Sequence, residues 1–341
     1  MKFCFLSLLL VGFCSVGFCA VLSASEQAIP GTPIPGTRSG SRFTMENVGD
    51  KILLFKENEK PIFCYVYDVI TNESVPEAET TRRMHGCYIH PLYGIDGEIL
   101  TDDFPVDHYH HHGVFWAWPH VKVGENREYD LWTDNTELKQ RFCRWERIDT
   151  NDDSILLDVE NGWFVGDEKV MKEVVSVRVF PQQGDSRSIN VRLSFTPLNE
   201  PVTLRGAEEK SYGGLAIRFK PGKNPSTGQM FSQITVPGGI AEEDLPETPL
   251  PWADFTSFFG EKETPSGATI FIPASHYDYP PTWLTRHYGA MCVGWPGVVG
   301  RTFSKGETFT IEYRLWVHQN AVNLDRLKQE YDDYLKNAMK E

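Results

Sequence analysis

From Phe309 to Val317 every second residue is apolar: Phe309, Ile311, Tyr313, Leu315 and Val317. Side chains of an extended strand point alternately to opposite faces, so this run has one buried face and one wet face. Ser188–Phe195 repeats the pattern in Ile189, Val191, Leu193 and Phe195. Further strands are expected at Ile52–Phe55, Ile62–Tyr67, Ser154–Val159, Val174–Phe180 and Leu215–Phe219. The first two flank Glu57-Asn58-Glu59-Lys60 and read as a hairpin. Turn-forming clusters such as Gln182-Gln183-Gly184-Asp185 and Pro221-Gly222-Lys223-Asn224 punctuate the rest. Strands that follow one another without intervening helices predict antiparallel sheets packed as a large all-β sandwich. One helix is expected, over Asn323–Lys340, where Leu324, Leu327, Tyr331, Leu335 and Met339 form a stripe.

The N-terminus carries Lys2, a mostly apolar run from Phe3 to Val16, and small residues at Ala20, Ser23 and Ala24. That is the layout of a secretory signal peptide over residues 1–24, too short for a good spanning helix. The chain is therefore expected to be exported, periplasmic or secreted, with no membrane span after cleavage. Residues 25–42, rich in Pro, Gly, Ser and Thr, read as a flexible linker. Residues 43–341 read as one sandwich domain, of a size that large β-sandwiches reach.

Cys4, Cys14 and Cys19 leave with the signal, and Cys64, Cys87, Cys143 and Cys292 remain without a CxxC. Zinc-finger chemistry has no support; disulfides and free buried thiols are both open. The net charge of −14 argues against nucleic acid as a partner. The nine Trp fit sugar-stacking surfaces and an aromatic core alike. GxSxG, Walker, GxGxxG and HExxH motifs are absent.

Chemistry concentrates in Asp107-His108-Tyr109-His110-His111-His112-Gly113, with four histidines in five positions. Three readings are open. If the segment is extended, His108, His110 and His112 share one face and would hold zinc, copper or iron. Alternatively, histidines act as general acids or bases, since imidazole titrates near neutrality, and Asp107 would fix a tautomer. Thirdly, they are structural, bonded within a tight turn. A second set, His276 through Trp283 and Arg286 to Gly289, contains Pro280-Pro281 and reads as a loop with a stacking ring, a guanidinium and a proton carrier. Pro251-Trp252-Ala253-Asp254 is similar in kind.

Several blocks together resemble the PmoA-like family of bacterial proteins. These are Tyr88-Ile89-His90-Pro91-Leu92, Leu100–Pro105, Asp107–Gly113, Tyr212–Arg218, Pro251–Asp254, His276–Gly289 and the closing Tyr313-Arg314 and Val317-His318. The resemblance spans nearly the whole chain after the signal. It departs at His112, where the family commonly has Arg, which moves the weight to His108 and His111. It implies the β-sandwich of sugar mutarotases and, by analogy, a small-molecule or oligosaccharide ligand. On that reading His111 is the acid or base oriented by Asp107, with His90 and His108 as second partners. Arg286 holds a carboxylate or oxyanion. Trp283 stacks on the sugar, and His276, Arg218, Asp254 and Trp116 complete the binding site. The chemistry is that of an epimerase, lyase or hydrolase. The rivals are an oxidoreductase with a divalent metal on His108, His110 and His112, and a non-catalytic glycan-binding protein.

Overall fold

The computed structural model describes residues 41–134 and 136–338. The expected signal peptide and nearly all of the expected linker lie outside them. Ser41 and Arg42, the linker's last two residues, are already tied to the body: the Arg42 amide donates to Asp152 Oδ1 at 2.8 Å.

The architecture is an all-β sandwich of antiparallel sheets with one C-terminal α-helix, as the alternation predicts. The first nine-stranded sheet runs, in spatial order, Phe43–Val48, Ile52–Glu57, Lys60–Val66, Tyr88–Leu92, Val114–Ala117, Gly214–Arg218, Ala290–Gly294, Thr282–Arg286 and Thr248–Pro249. The second, also nine-stranded, runs Leu138–Thr150, Ile155–Val165, Glu168–Val179, Ser186–Pro197, Phe309–Gln319, Ser266–Phe271, Trp252–Ser257, Ser232–Val236 and Gly239–Ala241. The expected hairpin forms, with Glu57 paired to Lys60. Its two central residues, Asn58 (φ 49°) and Glu59 (φ 64°), are both left-handed, the tight-turn geometry that matches strand twist.

Between the sheets lies a continuous core. Tyr65 and Tyr67 of the first sheet meet Trp145 of the second edge-on, at 6.2 and 5.0 Å. Phe219, just past the end of a first-sheet strand, stacks on Phe255 of the second at 4.6 Å. The helix Leu324–Ala338 buries Leu327, Tyr331 and Tyr334 against Trp252, Phe271 and Trp316, a separate apolar cluster on the outer side of the second sheet. Its apolar stripe at helical spacing supplies that contact. Cys64, Cys87, Cys143 and Cys292 are free thiols.

The stretch expected as a loop as far as Gly289 is one only up to Pro281. Thr282–Arg286 is a strand paired on both sides, with Thr248–Pro249 and Ala290–Gly294. Proline cannot donate to a ladder, but nothing prevents a strand from starting directly after it. This decides the fate of Trp283 and Arg286. Three positions apart on a strand, they face opposite ways.

A histidine-lined mouth on the outer face of the first sheet

Strand pairing sets which side chains share the outer face of the first sheet. Phe115 pairs with Ala216, Ala216 and Arg218 with Cys292 and Ala290, and Arg286 with Ala290. Phe115, Arg218 and Arg286 therefore point to one side, and Trp116 and Trp283 to the core. Trp283 is fully buried with its indole N–H on Leu250 O at 2.8 Å, and Trp116 is 1% exposed. Neither can stack on a ligand, which corrects the roles expected for them. Asp254 is likewise internal. It accepts from Thr256 and Thr269 and pairs with His318 Nε2 at 2.9 Å. His276 is buried against Trp295 and Tyr313.

The histidine segment crosses over this outer face. It is not extended. The His108 amide donates to Pro105 O and the His111 amide to His108 O, both at 2.9 Å, so the chain makes two successive turns. A turn closed from i to i+3 brings those side chains together. His108 and His111 stack with centroids 4.6 Å apart and planes at 6°, and His110 meets both edge-on. The shared strand face expected for His108, His110 and His112 does not exist, because a turn lacks the period of two. Gly113 follows where a Cβ would sit 2.2 Å from Ile89 O, so only glycine lets the segment re-enter the sheet here.

His112 turns inward, away from the other three. Its ring is fully buried and stacks on His85 at 3.9 Å and 4°. Its Nδ1 lies 2.8 Å from Asp103 Oδ1, and Tyr88 Oη donates to the other Asp103 oxygen. His85 Nδ1 lies 2.6 Å from Asp134 Oδ2, which Lys139 also approaches. Burial, then the neighbouring His85, holds the His112 imidazole well below its ordinary range, so it is neutral. Burial also pushes Asp134 up, but His85 and Lys139 outweigh it and hold it low. His90 sits beside Gly113 and shares a 3.0 Å contact with Thr101 Oγ1.

His85, His112 and Asp134 are the group of metal-ligand type among the described residues whose ligand atoms lie within 4.8 Å of one another. Their donor chemistry suits a divalent transition metal. Their geometry does not: the rings are parallel at 3.9 Å, so their in-plane lone pairs run side by side and do not converge on one point. Holding an ion would require one ring to turn.

The remaining cluster opens to solvent. Asp107 and His108 have side chains 46% and 35% exposed, with Nδ1 of His108 3.0 Å from Asp107 Oδ2. Arg218 Nη2 donates to both Asp107 oxygens at 2.8 and 2.9 Å. Burial raises Asp107, yet the bonds to His108 and Arg218 outweigh it and keep it ionised. Asp107 thus orients His108, not His111 as expected. Tyr288, 39% exposed, stacks on His108 at 5.3 Å and covers the Arg218 guanidinium at 4.5 Å. Trp132 and Phe115 close the inner side against His111. Burial holds His111 well below its usual pKa and brings His110 down to about 4. Arg286 stands at the side, its Nε 3.7 Å from Asp244.

Of the residues expected from sequence, Asp107, His108, His110, His111 and Arg218 are brought together. Tyr288, Trp132, His85, Asp134 and Asp103 were missed as site residues. Tyr288 lies inside a block already singled out, but its role depends on where that block's strand ends. A hollow of about 610 Å³ on the outer face of the second sheet involves Arg147, Asp158, Arg192 and Glu312. These are mutually paired, which marks a solvated seam and not a second centre.

Fold and site define an antiparallel β-sandwich protein with a histidine-lined mouth on one outer sheet face. Residues 53–332 match the profile of a family of unknown function, DUF6807, and the protein belongs to that family. No curated protein matches the chain. Among solved structures it is similar to a heparan sulfate lyase HepC mutant from Pedobacter heparinus, at 10% identity and a TM-score of 0.37, covering 83% of this chain and 36% of the lyase. It is similar to a galactose 1-epimerase from Lactobacillus acidophilus NCFM at 8% identity and a TM-score of 0.35, covering 82% and 99%. A further polysaccharide lyase gives 11% identity and a TM-score of 0.31, covering 75% of this chain and 33% of that one. The chain spans about a third of the length of the two lyases.

Proposed function

We propose that the protein is an exported, carbohydrate-active enzyme that moves a proton at a sugar, as in epimerisation, elimination or hydrolysis. The observation that carries this is the Asp107–His108 pair at the mouth. An ionised carboxylate lies 3.0 Å from one imidazole nitrogen of a histidine whose side chain is 35% exposed. That is the arrangement of a general acid or base: an accessible imidazole beside an orienting carboxylate. His108 thus takes the role first expected of His111. His110 and His111, kept neutral by burial, serve as hydrogen-bonding walls. Tyr288 offers an exposed ring for a sugar face, and Arg218 supplies fixed positive charge where negative charge would develop.

Export is supported by the N-terminal apolar run with small residues at its end. No helix among the described residues is long and apolar enough to cross a membrane. Of the blocks that carry the PmoA-like resemblance, Asp107–Gly113, Tyr212–Arg218 and His276–Gly289 supply residues at the mouth, while Pro251–Asp254 and Val317-His318 lie in the second sheet.

The test is a turnover screen on neutral and acidic oligosaccharides with wild type and His108→Ala. The expected result is a fall in turnover of about 100-fold or more with the fold intact. Full activity in a folded His108→Ala protein would reject the acid–base role. Sugar affinity without any turnover would leave a glycan-binding protein.

A further inference from the structure

Buried polar atoms in folded proteins nearly always have partners, and an orphaned one costs about 1–3 kcal/mol. In this protein four such atoms gather at the mouth: Nδ1 of His110, Nδ1 of His111, and Nε and Nη1 of Arg218. All are nitrogens. The guanidinium can only donate, and an imidazole with one nitrogen free can present N–H by choice of tautomer. What this surface lacks is oxygen acceptors.

The nearby carboxylates are already committed. Asp107 is shared between Arg218 and His108, Asp134 between His85 and Lys139, and Asp103 between His112 and Tyr88. Arg286 lies on the same sheet face as Arg218, with both guanidiniums acting on Cys292 and Tyr288 between them. Its own partner, Asp244, is a long 3.7 Å away. Each guanidinium thus faces one carboxylate, closely for Arg218 and loosely for Arg286, and the imidazoles beside them add uncharged donors. The cover of Arg218 is the Tyr288 ring, a single part-exposed side chain lying over the guanidinium.

We infer that the mouth selects an anionic sugar, whose carboxylate or sulfate oxygens are taken by Arg218 together with the imidazole N–H groups beside it, Tyr288 shifting to admit them. The inference rests on the carbohydrate reading above and narrows it to acidic glycans. A charged acceptor on buried donors is the strong form of hydrogen bond, and the guanidinium fork matches both oxyanions.

Calorimetric titration of the intact protein with matched probes tests this without any mutation. The probes are oligogalacturonate, its methyl ester, the corresponding neutral galactose oligomer and a sulfated galactose oligomer. The acids are expected to bind roughly 10- to 100-fold more tightly than the ester and the neutral oligomer, and to weaken as salt rises. Preference for oligogalacturonate over the sulfated oligomer identifies a carboxylate, and the reverse a sulfate. Folded Arg218→Gln, and separately Arg286→Gln, should lose most of that discrimination between acid and ester. Equal binding of acid, ester and neutral sugar overturns the inference and leaves the carbohydrate reading standing. Binding of none of the four overturns both.

Discussion

Two buried histidine neighbourhoods sit in this molecule, and they are finished differently. His318 is fully buried between two central strands of the second sheet and is satisfied on both sides: Nε2 on Asp254, Nδ1 on Asn320 O. Asp254 spends its remaining capacity on Thr256 and Thr269. At the mouth, His110, His111 and Arg218 are nearly as enclosed, but nitrogens of each are left without partners. The first arrangement is complete in the protein alone. The second leaves donors open, which the proposed acidic glycan would fill. Burial of a histidine therefore says little about its purpose, and the census of its partners says a great deal.

The sharpest way to break this contrast is one substitution made twice. His318→Ala leaves Asp254 charged and unpaired in the core, and should cost about 3–5 kcal/mol in denaturant unfolding. His108→Ala at the mouth should cost about 1 kcal/mol or less, because that ring is part-exposed and its loss strands no buried charge. Equal losses would erase the distinction.

The histidine segment shows why the site was only partly legible beforehand. Its composition announced it, with four imidazoles in five positions. Its conformation did not, since neither Pro105 nor Gly113 fixes where the turns fall. An extended reading groups His108 with His112, and the turns separate them. The regular strands fared better. Alternation in 309–317 and 189–195 is a local signal and appears as paired strands Phe309–Gln319 and Ser186–Pro197. The error at Trp283 has the same origin as the error at His112. Which face a residue serves depends on where a strand starts, and Pro280-Pro281 hid the strand that begins directly after it. Asp134 and Tyr288 were not legible as site residues, because the histidine each one meets lies dozens of residues away in sequence.

Acidity gives a second contrast of intermediate size. His110 and His276 resist protonation until about pH 4, and His111 lies well below its usual value, because burial penalises the charged ring. In the unfolded chain each takes a proton near pH 6.5. The unfolded state thus binds more protons between these limits, and stability falls as pH drops from about 6.5 towards 4, by up to about 1.4 kcal/mol per pH unit for each histidine. Asp254, held low by His318 against its burial, adds a loss only below the ordinary carboxylate range. Melting temperatures across pH 7 to 4.5 should show the slope, and His110→Gln should flatten it. A flat wild-type profile would mean the rings accept protons while folded.

The smallest expected effect concerns the inner pair. With parallel rings, His85 and His112 should give only weak binding of cobalt or zinc in titration of untagged protein, little altered by His85→Ala. A tight one-to-one complex abolished by that change would show that a ring turns, and would join the inner pair to the mouth as one metal-dependent centre.

Asp107 and Arg218 are separated by 111 residues of chain, and Tyr288 is contributed from farther still. During synthesis the histidine segment emerges early, then waits through four strands of the second sheet before Arg218 exists and through eight before the covering tyrosine does. A product cut short before Tyr288 would carry the whole cluster of imidazoles and no recognition surface. On the proposed reading, capture of an acidic glycan certifies that translation and pairing of the first sheet have run at least as far as Tyr288.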